Sequence, residues 1–236
     1  DRHFGKHRDD LASAPGGRIP LEQAIAACRK RRVPILVDAA AELPPPENLS
    51  YYTRLGADLV TFSGGKGLRG PQCTGLLLGR RDLVEAARLH NSPYTGNIGR
   101  GMKVGKEEIM GLVAAVERYL KTDHAAEWKF WQSQVDHVAE VLRSVPGVQS
   151  GYVPKEVTNH VPRLWVSWNE QEWKYTREEC FKELQAGDPS IVALRTPLGI
   201  TIVPWMMEPG EERIVAQRLK ELLSNARRTA AQRAAL

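Results

Sequence analysis

Three short apolar runs constrain the fold of this 236-residue chain more than any other feature of its sequence. They are VPILV at 33–37, ADLVTF at 57–62 and TGLLL at 74–78. Continuous runs of this length, rich in branched side chains, are typical of strands covered on both faces in a mostly parallel sheet. Helical patterns over 21–28 and 49–55 flank the first run. The order helix, strand, helix, strand, loop, strand predicts an α/β fold.

The second half of the chain has a different pattern. Helices over 82–90 and 107–120 still belong to the first part, and a longer helix is predicted over 128–145. From Val148 onward the pattern changes, with a helix over 176–185, a last helix from Glu211 and an Ala/Arg-rich tail after Ser224 that is expected to fray. Strand-like stretches occupy 163–168, 191–195 and 200–203. This mixture is typical of a small α+β domain. We therefore expect two domains, residues 1–125 and residues 126–236, the second beginning with a linking helix.

The composition favours a cytoplasmic protein without a metal site. No apolar run approaches the roughly 18 residues of a membrane span, and residues 1–10 (DRHFGKHRDD) are too polar for a signal peptide. The three cysteines, at 28, 73 and 180, form no CxxC pair, and the six histidines show no metal-ligand spacing. We expect no disulfide, no metal and no membrane partner.

The charge balance is mildly basic, with 33 Lys+Arg against 28 Asp+Glu and a formal net charge of +5. The basic residues are densest at 29–32, 80–81 and 227–233. Each cluster lies at the end of a predicted helix or strand, where cations complement a helix C-terminus or are solvated. Nucleic acid is therefore not an expected partner.

Two ionisable residues are predicted to meet at one edge of the sheet. Asp38 ends the first predicted strand, and Lys66 lies in the segment SGGKGLRGPQ after the second. Ligands bind at the carboxyl ends of parallel strands in open α/β sheets. A lysine flanked by glycines is uncrowded and suits a Schiff base, and a carboxylate suits a pyridinium nitrogen. Taken singly, an aspartate at a strand end or a lysine among glycines is also common in turns without a catalytic role. A P-loop is excluded, because that motif requires Ser or Thr after its lysine and Lys66 is followed by Gly67.

Longer segments around these residues resemble a known family. VDAAAELPPPENL, GADLVTFSGGKGLRGPQCTGLLLGRRDL and NIGRGMKVGKEEIMGL are similar to the selenocysteine-synthase-like pyridoxal-phosphate enzymes of fold type I. They resemble in particular the branch of aminotransferase class V-like proteins and D-glucosaminate-6-phosphate ammonia-lyase-like enzymes. The resemblance implies the C-terminal part of a large, mostly parallel-sheet domain followed by a small α+β domain. It also implies pyridoxal 5'-phosphate as the cofactor.

The resemblance assigns roles to cofactor-binding residues. Lys66 would form the Schiff base with the cofactor, and Asp38 would pair with its pyridine nitrogen. Ala40 would lie beneath the ring, where a small side chain leaves room. Ser63 matches a position that commonly binds the cofactor phosphate, although a plain turn hydroxyl is an equal interpretation of this residue.

Two arginines would bind anionic parts of the substrate. Arg100 matches one of two arginines with which the selenium transferases hold an anion, while Asn97 stands where they have the other. Arg195 resembles the arginine that holds the substrate carboxylate in many fold type I enzymes, and a surface role is the alternative. Losing one arginine weakens the case for a selenium transferase.

The resemblance implies an enzyme acting on an amino acid or amino sugar acid. We expect α,β-elimination to a 2-oxo acid and ammonia, with transamination or racemisation as alternatives on the same scaffold. A selenium transferase-like protein that binds tRNA is the rival from another class. The phosphate-binding helix and the ring-stacking side chain of fold type I are expected outside this chain. We also expect a homodimer or larger homo-oligomer, with segment 94–103 at its interface.

Overall fold

The computed structural model describes residues 19–153 and 161–234. These residues form two compact units, 19–124 and 125–234 without the gap at 154–160. The segment 1–10, whose polar sequence argues against a signal peptide, lies outside the described residues. No helix within 19–153 or 161–234 is long and apolar enough to cross a membrane. The same ranges contain no group of three or more His, Cys, Asp or Glu residues that could hold a metal ion.

The first unit is built on a three-stranded sheet. Its strands are β1 (Leu36–Asp38), β2 (Leu59–Ser63) and β3 (Gly75–Gly79), in that order. β1 pairs with β2 in parallel, as the apolar runs predict, whereas β3 runs antiparallel to β2. The prediction of burial on both faces is wrong for the first run, because the side chain of Leu36 is 56% exposed. Only Leu36 and Val37 of the run belong to a strand, which ends at Asp38.

Four α-helices and one 3-10 turn complete the first unit. They are α1 (Leu21–Arg31), α2 (Asn48–Leu55), α3 (Arg81–Leu89), the 3-10 turn Arg100–Met102 and α4 (Lys106–Lys121). α2 ends at Gly56, whose φ of +113° favours glycine because side chains disfavour the left-handed region. The core of this unit combines strand, loop and α4 residues: Ala39, Leu43, Val60, Phe62, Leu68, Leu112 and Tyr119. The segment between β2 and β3 is thus anchored in the core.

The second unit has the α+β character expected from its sequence. Its helices are α5 (His124–Leu142), which begins at the unit boundary, α6 (Glu170–Trp173), α7 (Arg177–Gln185) and α8 (Glu211–Ala234), with a 3-10 turn at Pro204–Met206. Its antiparallel sheet has the order β4-β5-β7-β6, with β4 (Gln149–Tyr152), β5 (Leu164–Ser167), β6 (Leu194–Thr196) and β7 (Gly199–Ile202). All six tryptophans lie between 128 and 205, within this unit.

The second core is larger and is closed by α8. Leu219 and Leu223 of α8 are completely buried beside β5 and β7 residues such as Val166 and Ile200. The prediction that the tail after Ser224 frays is wrong up to Ala234, because α8 continues through it. Ala226 and Ala230 pack against the core, so the helix is supported along this stretch.

Candidate cofactor-binding site

The carboxyl ends of β1 and β2 lie side by side. Asp38 is the last residue of β1 and is opposite Thr61 in the parallel register, while Ser63 ends β2 two residues later. β3 begins at the same edge, because Gly75 is opposite Ser63. The segment 64–74, which we call the lysine loop, therefore leaves and re-enters the sheet at the edge that bears Asp38.

A set of backbone hydrogen bonds fixes the turn after Asp38. The N–H of Ala40 donates to Oδ1 of Asp38 at 3.0 Å, and the N–H of Ala39 donates to the carbonyl of Thr61 at 2.9 Å. The carbonyl of Ala40 accepts the N–H of Ser63 at 3.3 Å. Asp38 itself is exposed, and Ala40 and Ser63 are half-buried. The turn thus presents a carboxylate, a small side chain and a hydroxyl at one edge.

Internal hydrogen bonds close the lysine loop. The N–H of Gly64 donates to the carbonyl of Thr74 at 2.9 Å, and the N–H of Gly70 donates to the carbonyl of Gly64 at 2.7 Å. A third bond at 2.9 Å runs from the N–H of Arg69 to the carbonyl of Lys66. The Lys66 side chain is exposed on this ordered turn. Because these hydrogen bonds hold the loop at its base and around Lys66, the backbone that carries the lysine has a defined conformation.

The three glycines around Lys66 are required by close packing. A Cβ on Gly65 would lie 2.6 Å from Cα of Gln72, and one on Gly67 would lie 2.5 Å from the carbonyl oxygen of Leu43. A Cβ on Gly64 would overlap the hydroxyl of Thr74. The sequence suggested that these glycines keep the lysine uncrowded. The structure adds that they let the loop lie directly against neighbouring segments.

Gln72 is a residue that the sequence reasoning did not select. Its side-chain amide Nε2 donates to the carbonyl of Gly65 at 3.0 Å. This carbonyl belongs to the peptide bond that precedes Lys66. The sequence signal is only a polar residue after Pro71, and it does not reveal a contact made across seven residues.

The predicted substrate residue Arg100 lies in the segment between α3 and α4. Arg100 starts the 3-10 turn, is half-buried, and its Nη1 donates to Oγ of Ser92 at 3.5 Å. Asn97 uses its side-chain amide to donate to the carbonyl of Leu89. Asn97 therefore stabilises the segment that carries Arg100.

A cavity of about 500 Å³ lies beside this segment, within the first unit. Its lining is mainly apolar, with polar groups from the start of β3 and from the segment after α3: Thr74, Gly75, Leu76, Asn91, Ser92, Lys103, Val104, Ile109, Leu112, Val113, Val116 and Glu117. Thr74 and Leu112 both line the cavity and contact the position of Gly64. The cavity therefore shares a wall with the lysine loop.

Arg195 lies in the second unit, on β6. Its guanidinium pairs with Glu178 of α7, and its Cζ lies 4.4 Å from the centroid of the Phe181 ring. The hydrogen bond from Arg195 holds the pKa of the Glu178 carboxyl below its ordinary value. Arg195 is thus engaged within its own unit, whereas Asp38, Ser63 and Lys66 belong to the first unit.

The sequence profile of the aminotransferase class-V family matches residues 10–175, which is more than half of the chain. The chain belongs to the aminotransferase class-V family. The α/β architecture of pyridoxal-phosphate fold type I, predicted above, is confirmed, and so is the resemblance to the ammonia-lyase and selenium-transferase branch. The cofactor of this class-V protein is pyridoxal 5'-phosphate.

Two curated relatives match nearly the whole chain. One is the 5'-C-glycyluridine monooxygenase-decarboxylase of a Streptomyces species, 32% identical over 87% of this chain and 50% of that protein. The other is the D-glucosaminate-6-phosphate ammonia lyase of Salmonella typhimurium, 28% identical over 89% of this chain and 54% of that protein. A solved structure of a D-glucosaminate-6-phosphate ammonia-lyase aligns with a TM-score of 0.66 at 28% identity, over 89% of this chain and 54% of that one.

A third relative matches a smaller part of the chain. The L-seryl-tRNA(Sec) selenium transferase of Nitratidesulfovibrio vulgaris is 29% identical over 45% of this chain and 23% of that protein. The chain spans about half the length of the two curated relatives that it matches most broadly.

The residues at the sheet edge fit pyridoxal 5'-phosphate. The cofactor needs a lysine amine for its aldehyde and an acid for its ring nitrogen. Lys66 carries an amine and Asp38 a carboxylate, both exposed, at the edge where β1 and β2 end. The loop that carries Lys66 has no room for a Cβ at Gly64, Gly65 or Gly67, so its backbone is held in one shape.

Proposed function

We propose that this class-V enzyme acts on an amino acid or amino sugar acid and catalyses α,β-elimination, in which a β-hydroxyl leaves as water and the resulting enamine is hydrolysed to a 2-oxo acid and ammonia. The observation that carries the proposal is the placement of Lys66 and Asp38 at one sheet edge, with Lys66 on a tightly packed loop. The similarity to an ammonia lyase over 89% of the chain supports this reaction class.

Each residue at the edge has a defined task in this proposal. When bound, pyridoxal 5'-phosphate supplies a ring that accepts the electron pair left when a substrate proton is removed. Asp38 keeps a proton on the ring nitrogen, and Ala40 leaves room beneath the ring. Ser63 donates its hydroxyl to the cofactor phosphate. Lys66 first anchors the cofactor and then, once released, takes the proton from the substrate α-carbon as a general base.

Anion binding is assigned to two arginines. Arg100 is half-buried beside the cavity, and its guanidinium can hold a phosphate or carboxylate in two parallel hydrogen bonds. Arg195 would bind the substrate carboxylate in exchange for its present partner, Glu178. Asn97 stands where the selenium transferases have their second arginine, and its side-chain amide donates to the carbonyl of Leu89. Arg100 is therefore the one guanidinium where selenium transferases use two.

We further infer that the enzyme works as a homodimer or larger homo-oligomer. The segment 94–103 contributes exposed apolar side chains, with Ile98 85% exposed and Met102 69% exposed. Burial of such side chains against a second copy is favourable, since apolar surface is stabilised on leaving water. The interface would then adjoin the cavity beside Arg100.

A second candidate reaction is oxidative decarboxylation of an amino acid with molecular oxygen as the co-substrate. The observation that favours it is the 32% identity to a monooxygenase-decarboxylase over 87% of the chain. Both reactions would use Lys66 and Asp38, so these residues do not distinguish them. The products do: elimination releases ammonia without consuming oxygen, and the alternative releases carbon dioxide and consumes oxygen.

The deciding experiment combines covalent trapping with product analysis of the full-length protein. Borohydride reduction after loading with pyridoxal 5'-phosphate, followed by peptide mapping, should place the pyridoxyl group on Lys66. Lys66→Ala should carry no label, and the matched variant Lys121→Ala, an exposed lysine at the end of α4, should be labelled as the parent is. A label on another lysine refutes the assignment. Incubation with D-glucosaminate 6-phosphate and with free amino acids, with oxygen and ammonia measured in parallel, then separates the two reactions.

A further inference from the structure

The side chain of Gln72 bends back onto the lysine loop. Gln72 is exposed near the end of the loop, and its Nε2 donates to the carbonyl oxygen of Gly65 at 3.0 Å. That oxygen belongs to the peptide group linking Gly65 to Lys66. The hydrogen bond therefore acts on the backbone immediately before the lysine, and not on the distant parts of the loop.

The backbone of Gln72 is itself held on both sides. Thr74 donates its hydroxyl to the carbonyl of Pro71 at 2.6 Å, and the Pro71 ring lies so close to α4 that a Cβ on Gly111 would be 2.8 Å from Pro71 Cγ. A Cβ on Gly65 would be 2.5 Å from Oε1 and 2.6 Å from Cα of Gln72, so the two segments are in direct contact. Gln72 is thus a fixed support against which the Gly65 peptide rests.

We propose that Gln72 is a positioning residue for Lys66. Its amide sets the orientation of the Gly65–Lys66 peptide group, and through it the direction in which the Lys66 side chain leaves the loop toward the cofactor. The inference rests on the proposed role of Lys66. Because the hydrogen bond is exposed to water, its contribution to folding is small, and its effect falls on the placement of the amine.

The test measures the rate and the affinity with which the full-length apoprotein binds pyridoxal 5'-phosphate. Binding is monitored through the yellow absorbance band of the bound cofactor. Gln72→Met keeps a side chain of similar length but lacks the donor. We expect it to slow capture and weaken apparent affinity by about fivefold to tenfold, the effect of one lost hydrogen bond. The melting temperature of the apoprotein should change by less than about 2 °C. The matched control is Gln23→Glu, an exposed glutamine on α1, which should behave as the parent.

Gln72→Glu provides a pH readout that a purely structural role would not move. An ionised carboxylate cannot donate to the Gly65 carbonyl, whereas a protonated one can. The ratio of the parent capture rate to the Gln72→Glu rate should therefore fall toward one as the pH is lowered from about 8 to about 5, approaching the ordinary glutamate pKa. Both rates of this ratio are followed across the pH range on folded proteins, so the comparison decides the question even if Gln72→Met fails to fold.

The outcomes separate this proposal from the assignment of Lys66. If borohydride labels Lys66 in the parent but Gln72→Met captures the cofactor at the parent rate, or the Gln72→Glu ratio is independent of pH, the positioning role is refuted and Lys66 stands. If the parent carries no label on Lys66, both fall. Slower capture by Gln72→Met, a pH-dependent ratio and an unchanged Gln23→Glu together support the role.

Discussion

The packing of the lysine loop can be tested by adding a single methyl group at Gly64. In Gly64→Ala the new Cβ would overlap the hydroxyl of Thr74 and lie 3.0 Å from both Thr74 Cβ and Leu112 Cδ1. Thr74 is only 8% exposed, and its hydroxyl donates to the carbonyl of Pro71 at 2.6 Å. Relief of the overlap requires Thr74 to rotate, which breaks this hydrogen bond inside the protein.

The expected magnitude follows from these two contacts. Leaving a buried polar group without its partner costs about 1–3 kcal/mol, and overpacking against Leu112 costs about 1–3 kcal/mol. We expect Gly64→Ala to lower the local free energy of opening by about 2–6 kcal/mol, the sum of the two costs. Hydrogen–deuterium exchange of peptides spanning 57–80 measures this quantity for the loop and its two strands.

A double-mutant cycle isolates the cause. Thr74→Ala alone loses the bond to Pro71 and a methyl group, and should cost about 1–2 kcal/mol. The double variant Gly64→Ala/Thr74→Ala lacks the overlapping hydroxyl, so it should be no less stable than Gly64→Ala alone. The cost of Thr74→Ala would then disappear in the double variant, which corresponds to a coupling free energy of about 1–2 kcal/mol. Additive losses would show that the hydroxyl is not the obstacle. Gly187→Ala is the control, because the atoms nearest to its Cβ would lie 3.4 Å away, an ordinary van der Waals contact.

Four further outcomes are expected. Asp38→Asn should retain the cofactor but lose most of the turnover, because a neutral amide cannot keep the ring nitrogen protonated; turnover at the parent rate would make Asp38 a turn residue only. Arg195→Lys should raise KM by about tenfold, the effect of losing a bidentate charged pair, and should leave the cofactor spectrum unchanged. An unchanged KM would mean that Arg195 only forms its ion pair with Glu178 and does not bind substrate. The N–H of Ile35 and the guanidinium of Arg80 hold the pKa of Asp58 below its ordinary value. The stabilisation of the folded protein by the ionised Asp58 is present above the unfolded-state pKa and is lost as the pH falls through the folded-state pKa. The free energy of unfolding of Asp58→Asn should therefore fall less steeply at acid pH than that of the parent. The same acid dependence in both proteins would contradict this. Sedimentation of the full-length protein should give a dimer or larger assembly, and a monomer that binds the cofactor and turns over would refute the proposed oligomer.

Elements with a strong apolar pattern were predictable, and elements held mainly by their neighbours were not. The second and third apolar runs became β2 and β3 because Val60 and Phe62 are buried in the core and Leu76 and Leu78 pack against it. β4, with the sequence QSGY, has no such pattern and exists because it pairs with β5. The antiparallel direction of β3 also had no local signal, because it depends on how the lysine loop turns the chain.

The same distinction applies to the site. Asp38 and Lys66 could be selected because a strand end and a glycine-flanked lysine are local features of the sequence. The contact from Gln72 to the Gly65 carbonyl could not, because it depends on the folded shape of the loop. The pairing of Arg195 with Glu178 joins a strand to a helix 17 residues away, and a sequence pattern gives no measure of such a contact.

The distribution of tryptophans offers an optical probe of one unit. Every tryptophan of the chain belongs to the second unit, while the proposed cofactor lysine belongs to the first. Tryptophan fluorescence therefore reports on the second unit alone. A denaturant titration followed by tryptophan fluorescence would measure the unfolding of the second unit by itself, without any introduced label.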